Sequence, residues 1–131
     1  MDQPSKRKFV IHELAERVAV VRLEARTEVP MWAWTGSLTA VVRTGDELTI
    51  VCDQNSVPGD VRSERDWVAL KLEGALPLST TGVLASLLGP LASASVAVFV
   101  ISTFDTDYIL VNADDIQRAK GILKAEGHRI G

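Results

Sequence analysis

The chain has 131 residues, 47% of them hydrophobic, enough to bury roughly two thirds of its unfolded surface in one compact body or two small ones. Fourteen basic and seventeen acidic side chains leave a net charge of −3 and a pI near 5.3, and only 5% of residues are aromatic. Neither nucleic acid nor an anionic membrane is expected as a partner of such a surface. Cys52 is the only cysteine, which excludes an intrachain disulfide, and residues 1–8 lack the apolar segment of a secretory signal; both predict a reducing, cytoplasmic setting.

Residues 1–8 read as a frayed tail. Phe9 to Ala25 read as two strands with a tight reversal at Glu16-Arg17, the second strand being apolar at nearly every position and so covered on both faces. Pro30-Met31-Trp32-Ala33-Trp34 predicts one helical or irregular turn opened by proline. Its two tryptophans are read as sealing a small core rather than lining a pocket. Ser37–Arg43 and Glu47–Cys52 form a strand pair around Thr44-Gly45-Asp46, with Gly45 supplying the freedom of a short loop. Cys52 ends the apolar run Leu48–Val51 and reads as a buried, inert thiol. The Asn, Ser, Pro, Gly and charged residues between Asp53 and Arg65 mark a boundary near Asp60.

Beyond it, Trp67–Leu72 alternates Val68, Leu70 and Leu72 with Ala69 and Lys71, a strand of period two. Val83, Leu84, Leu87, Leu88 and Leu91 fall at helical spacing, with Ser79 or Thr80 able to cap the first turn and Pro90 expected to kink or restart the helix. No charged residue occurs between Glu73 and Asp105, but Gly89-Pro90 and the acidic flanks argue against a membrane span. Val96–Ile101 and Tyr108–Val111 predict a hairpin of buried strands around Ser102, Thr103, Asp105, Thr106 and Asp107. Asn112 caps a final helix over 113–126 that ends at Gly127, and 128–130 allow a short last strand. The order β-α-β-β-α-β of this half is ferredoxin-like, and the first half is a shortened relative with four strands and little helix.

Catalysis has little support. His12 and His128 are the only histidines, and no metal-ligand spacing, nucleophile elbow or phosphate loop appears. Small-ligand binding has a mechanism. The turn Thr80-Thr81-Gly82-Val83 offers the free N–H groups of a helix start, and Gly82 leaves room for a carboxylate to approach them. An amino acid could set its carboxylate there and its ammonium against a carbonyl or Asp107. The alternative is that these residues only cap a helix and close a turn.

Leu78-Ser79-Thr80-Thr81-Gly82-Val83-Leu84, the stretch S-T-F-D-T-D-Y-I-L-V at 102–111, and Ala119 with Leu123 resemble the second ACT domain of small tandem-ACT proteins related to aspartate kinase regulatory domains and CASTOR arginine sensors. The segment from Val29 to Pro58 is similar to their first ACT domain, except at 39–44, which is longer and more apolar than the family pattern. The resemblance implies an α+β, ferredoxin-like fold of two ACT units, 9–60 with shortened helices and 61–131, side by side and sharing an antiparallel sheet. It also implies a non-catalytic regulatory role, with an amino acid held between the units and no cofactor or metal. By matching position, Gly82 corresponds to the glycine of the ligand loop, Thr103 and Phe104 to its wall, and Asp107 to the acid that faces a cationic side chain. A homodimer and a regulated protein partner are expected; the alternative is a scaffold that keeps the fold without a ligand.

Overall fold

The computed structural model describes residues 8–74 and 81–131 of the chain. Its strands are β1 (Val10–Leu23), β2 (Ala40–Arg43), β3 (Leu48–Asp53), β4 (Ser63–Leu72), β5 (Val98–Ser102), β6 (Asp107–Asn112) and β7 (Arg129–Ile130), and its helices are α1 (Val83–Ser93) and α2 (Ile116–Ala125). The chain divides into two compact units: a first unit, Leu14–Val68, and a second that takes the chain up to Glu13 and from Ala69 to Gly131. Strands β1 and β4 therefore each contribute residues to both units.

β1 is one continuous strand of 14 residues, not the predicted pair with a reversal at Glu16-Arg17. The polar interval Glu13–Arg17 that suggested a turn lies where the strand passes from the residues of one unit to those of the other, and its side chains are exposed or half-buried. Ile11, Val18, Ala19 and Val21, on either side of it, are buried.

In the first unit the strand order is β2-β3-β1-β4. β1 runs antiparallel to β3, with Val21 opposite Ile50 and Ala19 opposite Cys52. β3 runs antiparallel to β2, with Ile50 opposite Val41. Alternation then puts Ala19, Val21, Leu48, Ile50 and Cys52 on one face, where they form a core with Ala33 and Val57. The helix positions of a βαββαβ unit are filled here by two short 3-10 turns, Met31–Trp34 and Gln54–Ser56. Pro30 opens the first at φ −66°, the value its ring imposes. Trp32 packs on the core as predicted, whereas Trp34, two residues on, is 60% exposed.

Gly45 has no left-handed backbone, since the glycines with positive φ among the described residues are Gly36, Gly74, Gly82 and Gly127. The β2–β3 turn is closed instead by Thr44, whose N–H donates to the Glu47 carbonyl at 2.9 Å and whose Oγ1 accepts the N–H groups of Asp46 and Glu47, each at 3.1 Å. β4 also departs from strict alternation. Val68, Ala69 and Leu70 are all buried, and Asp66 just before them has φ 64°, a left-handed residue inside a strand. Its N–H donates to Gln54 Oε1 at 2.7 Å and its Oδ1 accepts from Arg17 at 3.2 Å.

In the second unit β7 lies parallel to the start of β1, with Val10 opposite Arg129 and Ile11 opposite Ile130. Beyond β1 follow β4, β6 and β5. β5 and β6 form the predicted hairpin, from Val98 opposite Val111 to Ser102 opposite Asp107. Ile109, Leu110 and Val111 are fully buried, while Val98–Ile101 on β5 are half-buried. α1 and α2 pack on each other, and α2 also on β6 and β7. Their buried faces are Val83, Leu87 and Leu91, and Ile116, Ala119 and Leu123. Each fully buried leucine is worth about 1.5–3 kcal/mol over exposure.

α1 continues through Pro90 to Ser93. The Asn112 side chain accepts the Asp114 N–H at 3.0 Å, capping a 3-10 turn at Ala113–Asp115 that leads into α2. α2 ends at Gly127, φ 95°, with the Gly127 and His128 N–H groups returning to Lys124 and Leu123. No helix among the described residues is long and apolar enough to cross a membrane.

Candidate functional site

Two groups of predicted residues lie in the second unit. The first is the start of α1. Gly82 is the N-cap at φ 75°, ψ −1°, a left-handed conformation that glycine adopts without strain. Its carbonyl accepts the first helical bond, from the Ser86 N–H at 3.1 Å. No side chain caps this end among the described residues, and its first turn holds no acid; the leading N–H groups carry the positive end of the helix dipole. Thr81 is exposed, whereas Val83 is buried; Val83 can offer a ligand its N–H but not its side chain. Thr80, and the predicted cap at Ser79 or Thr80, lie outside the described residues.

The second group is the β5–β6 turn. Thr103 closes it in the same way that Thr44 closes the β2–β3 turn. Its N–H donates to the Thr106 carbonyl at 2.8 Å, and its Oγ1 accepts the Thr106 N–H at 3.2 Å. Phe104 and Asp105 both keep negative φ, so the primed turns of two-residue hairpins are closed to them, and the threonine hydroxyl supplies the acceptor instead. Thr106 is buried, and its hydroxyl donates to the Leu72 carbonyl at 3.0 Å, tying the turn to the end of β4. Sequence reasoning placed Thr106 in the polar corner without giving it this part. Ser102 and Asp107 face each other across the strand pair, and the Ser102 hydroxyl donates to Asp107 Oδ1 at 2.6 Å.

Four of the polar residues singled out in the hairpin thus have defined partners. Phe104 is 79% exposed at the tip, so it forms no wall within its own unit. Beside the turn, Lys71 Nζ lies 5.9 Å from the centre of the Tyr108 ring, a cation–π distance. No hydrogen bond joins Thr81, Gly82 or Val83 to Thr103, Phe104 or Asp107 among the described residues.

Elsewhere the nucleophile and ligand candidates are occupied. Burial, then the charge of Asp53, push the Cys52 thiol up against the opposing pull of Arg65, which leaves it protonated and unreactive. His12 Nε2 lies 3.1 Å from Glu73 Oε1. No three of the His, Cys, Asp and Glu side chains among the described residues are gathered as metal ligands would be.

The ACT-domain family model matches residues 62–125, and a second model, described only as an N-terminal domain, matches residues 16–60. A structural-genomics protein from Agobacterium tumefaciens is 33% identical, with a TM-score of 0.90 over 95% of this chain and 93% of its own. The ligand-free regulatory subunit of aspartate kinase from Thermus thermophilus shares the fold at 9% identity and a TM-score of 0.57, over 86% of this chain and 93% of that one. The human protein CASTOR3P is 26% identical over 66% of this chain, which spans 61% of the human protein's length. With the strand–helix–strand–strand–helix–strand order of its second unit, these matches establish that the chain belongs to the ACT-domain family.

Proposed function

We propose that this chain is a non-catalytic regulatory module that binds an amino acid, with the second of two ACT units, bounded near Asp60, supplying the start of α1 and the β5–β6 turn. The observation that carries the reading is the helix start at Gly82. A glycine-led end with no side-chain cap among the described residues presents N–H groups and dipole charge to a carboxylate. Asp107 accepts one bond from Ser102, and a carboxylate has acceptor sites to spare for an ammonium or a longer cationic side chain. The module works in the cytoplasm as a homodimer, on a partner protein whose activity it regulates.

Relatives named as regulatory subunits of aspartate kinase support the regulatory part of this reading. The half-buried apolar strand β5, at the end of its strand order, supports the dimer, which would bury ~1,600 Å² in total if it is of ordinary size. Light scattering should find two copies per particle at tens of micromolar.

One observation favours a second reading, a scaffold with the fold and no ligand. Thr44 and Thr103 both close their turns with their own hydroxyl, so Thr103 needs no ligand to explain it. Thermal-shift screening of the twenty amino acids separates the two. A ligand at 100 times its dissociation constant adds about 2.7 kcal/mol of apparent stability. A shift with one or a few related amino acids supports binding, and none with any of the twenty supports the scaffold.

A further inference from the structure

We propose that the His128 imidazole is a pH-sensitive clasp that fastens the end of α2 and β7 to the start of β1 and opens on taking up one proton. His128 follows the C-terminal turn of α2 and is buried. Its Nδ1 accepts the buried Phe9 N–H at 3.1 Å, so the ring's one proton is carried by Nε2. The Phe9 ring stacks on the imidazole at 5.7 Å between centres and 20° between planes. The neutral imidazole thus receives a hydrogen bond from the start of the strand and stacks on the same residue's ring.

The clasp matters because the pairing beside it is short. β7 is only Arg129 and Ile130, held to β1 by the Arg129 N–H on the Phe9 carbonyl at 2.9 Å and the Gly131 N–H on the Ile11 carbonyl at 2.7 Å. The charged groups that act on the ring are Lys8 and Glu126. Lys8 Nζ donates to the main-chain carbonyl of Glu126 at 2.5 Å, and its stem lies 3.0 Å from where a side chain on Gly127 would begin.

Burial, then the charge of Lys8, hold His128 below its ordinary value of 6.5, against the opposing effects of Ser86 and Glu126. A proton added at Nδ1 would set two donors face to face at Phe9 and leave a charge buried beside an ammonium. The unfolded chain takes up that proton first, so the clasp's stability is intact above 6.5. It is lost as pH falls from there through the folded-state value.

The test uses the full chain with His12→Gln, which leaves His128 as the one histidine to titrate. Imidazole NMR should show the Nε2–H tautomer at pH 7.5 and a midpoint below 6.5. Amide exchange of Phe9, Arg129 and Gly131, corrected for the intrinsic rate at each pH, should lose protection together, by up to about tenfold per pH unit below 6.5. Ile50 in the first unit should not change. In His128→Asn, which keeps an acceptor near the place of Nδ1 but does not titrate, the loss should vanish. An Nδ1–H tautomer, a midpoint at or above 6.5, or pH-independent protection at Phe9 in the His12→Gln protein overturns the clasp whether or not the asparagine variant folds.

Discussion

In the first unit two 3-10 turns, of four and three residues, stand where the second unit has α1 and α2, of eleven and ten. Both units keep the strand–cover–strand–strand–cover–strand order, and both close the central hairpin with a threonine hydroxyl, at Thr44 and at Thr103. What differs is how the sheet face is covered. The second unit spreads the task over aliphatic side chains on two helix faces. The first relies on Ala33 and Val57 from its turns, with Trp32, Val29 and Val61 packed around them. A βαββαβ unit therefore does not need its helices as helices; it needs apolar bulk at those two positions, and one large ring delivers in a single turn much of what several aliphatic side chains deliver over three.

If that is right, the first unit should be concentrated in its energetics where the second is distributed. Trp32→Ala should be the costliest change among its turn residues, near the lower end of the about 3–5 kcal/mol seen when buried aromatics are truncated, since Trp32 is half-buried. Trp34→Ala, from a side chain 60% exposed, should stay within about 0.5 kcal/mol. Chemical denaturation of the two variants decides, and equal losses would break the comparison. Next in size is Gly36→Ala. Gly36 has φ 85°, and an added Cβ would meet Asp53 Cβ at 3.0 Å and Glu16 Oε1 at 3.3 Å. The left-handed backbone alone costs about 1–2 kcal/mol for an L-residue, so its denaturation midpoint should fall with the slope unchanged.

The smallest effect belongs to Glu16, which anchors the same loop. Its Oε1 accepts from the Ser37 hydroxyl and, at 2.6 Å, from the Ser37 N–H. The hydroxyl first, then the N–H, lower its carboxyl below the usual 4.5. A carboxylate with a depressed folded-state value contributes stability above its unfolded value and loses it as pH falls through the folded one. Glu16→Gln should therefore cost a little at pH 7, at most about 1 kcal/mol for so open a site. Melting curves of wild type and variant should converge at acid pH.

Much of this fold is legible in the sequence because its hairpins are written in β-branched runs and its helices in spaced leucines. The misses share a cause. Glu16-Arg17 looked like a turn because polarity in one strand was judged against one core, while β1 serves two. Ala69 was set opposite Val68 and Leu70 in a period-two strand, whereas all three are buried. Gly45 was credited with a turn that Thr44 makes. Of the candidate site, Gly82 was legible as a helix start from the Thr-Thr-Gly before a leucine-rich run. The partners of Thr106 and His128 were not, because Leu72 and Phe9 are distant in sequence and make those hydrogen bonds through backbone groups, which leave no trace in residue type.

The proposed function stands or falls at Asp107. Isothermal titration of the amino acid found by the thermal screen, on wild type and on Asp107→Asn, measures it directly. Asparagine keeps an oxygen for the Ser102 hydroxyl and replaces the other, charged oxygen with a neutral NH2 donor, so an acid that faces a ligand cation should give roughly 10- to 100-fold weaker binding, the range for a charged hydrogen bond, with the melting temperature of the free protein unchanged. Unchanged affinity together with a lower melting temperature would assign Asp107 to the hairpin alone and contradict the site.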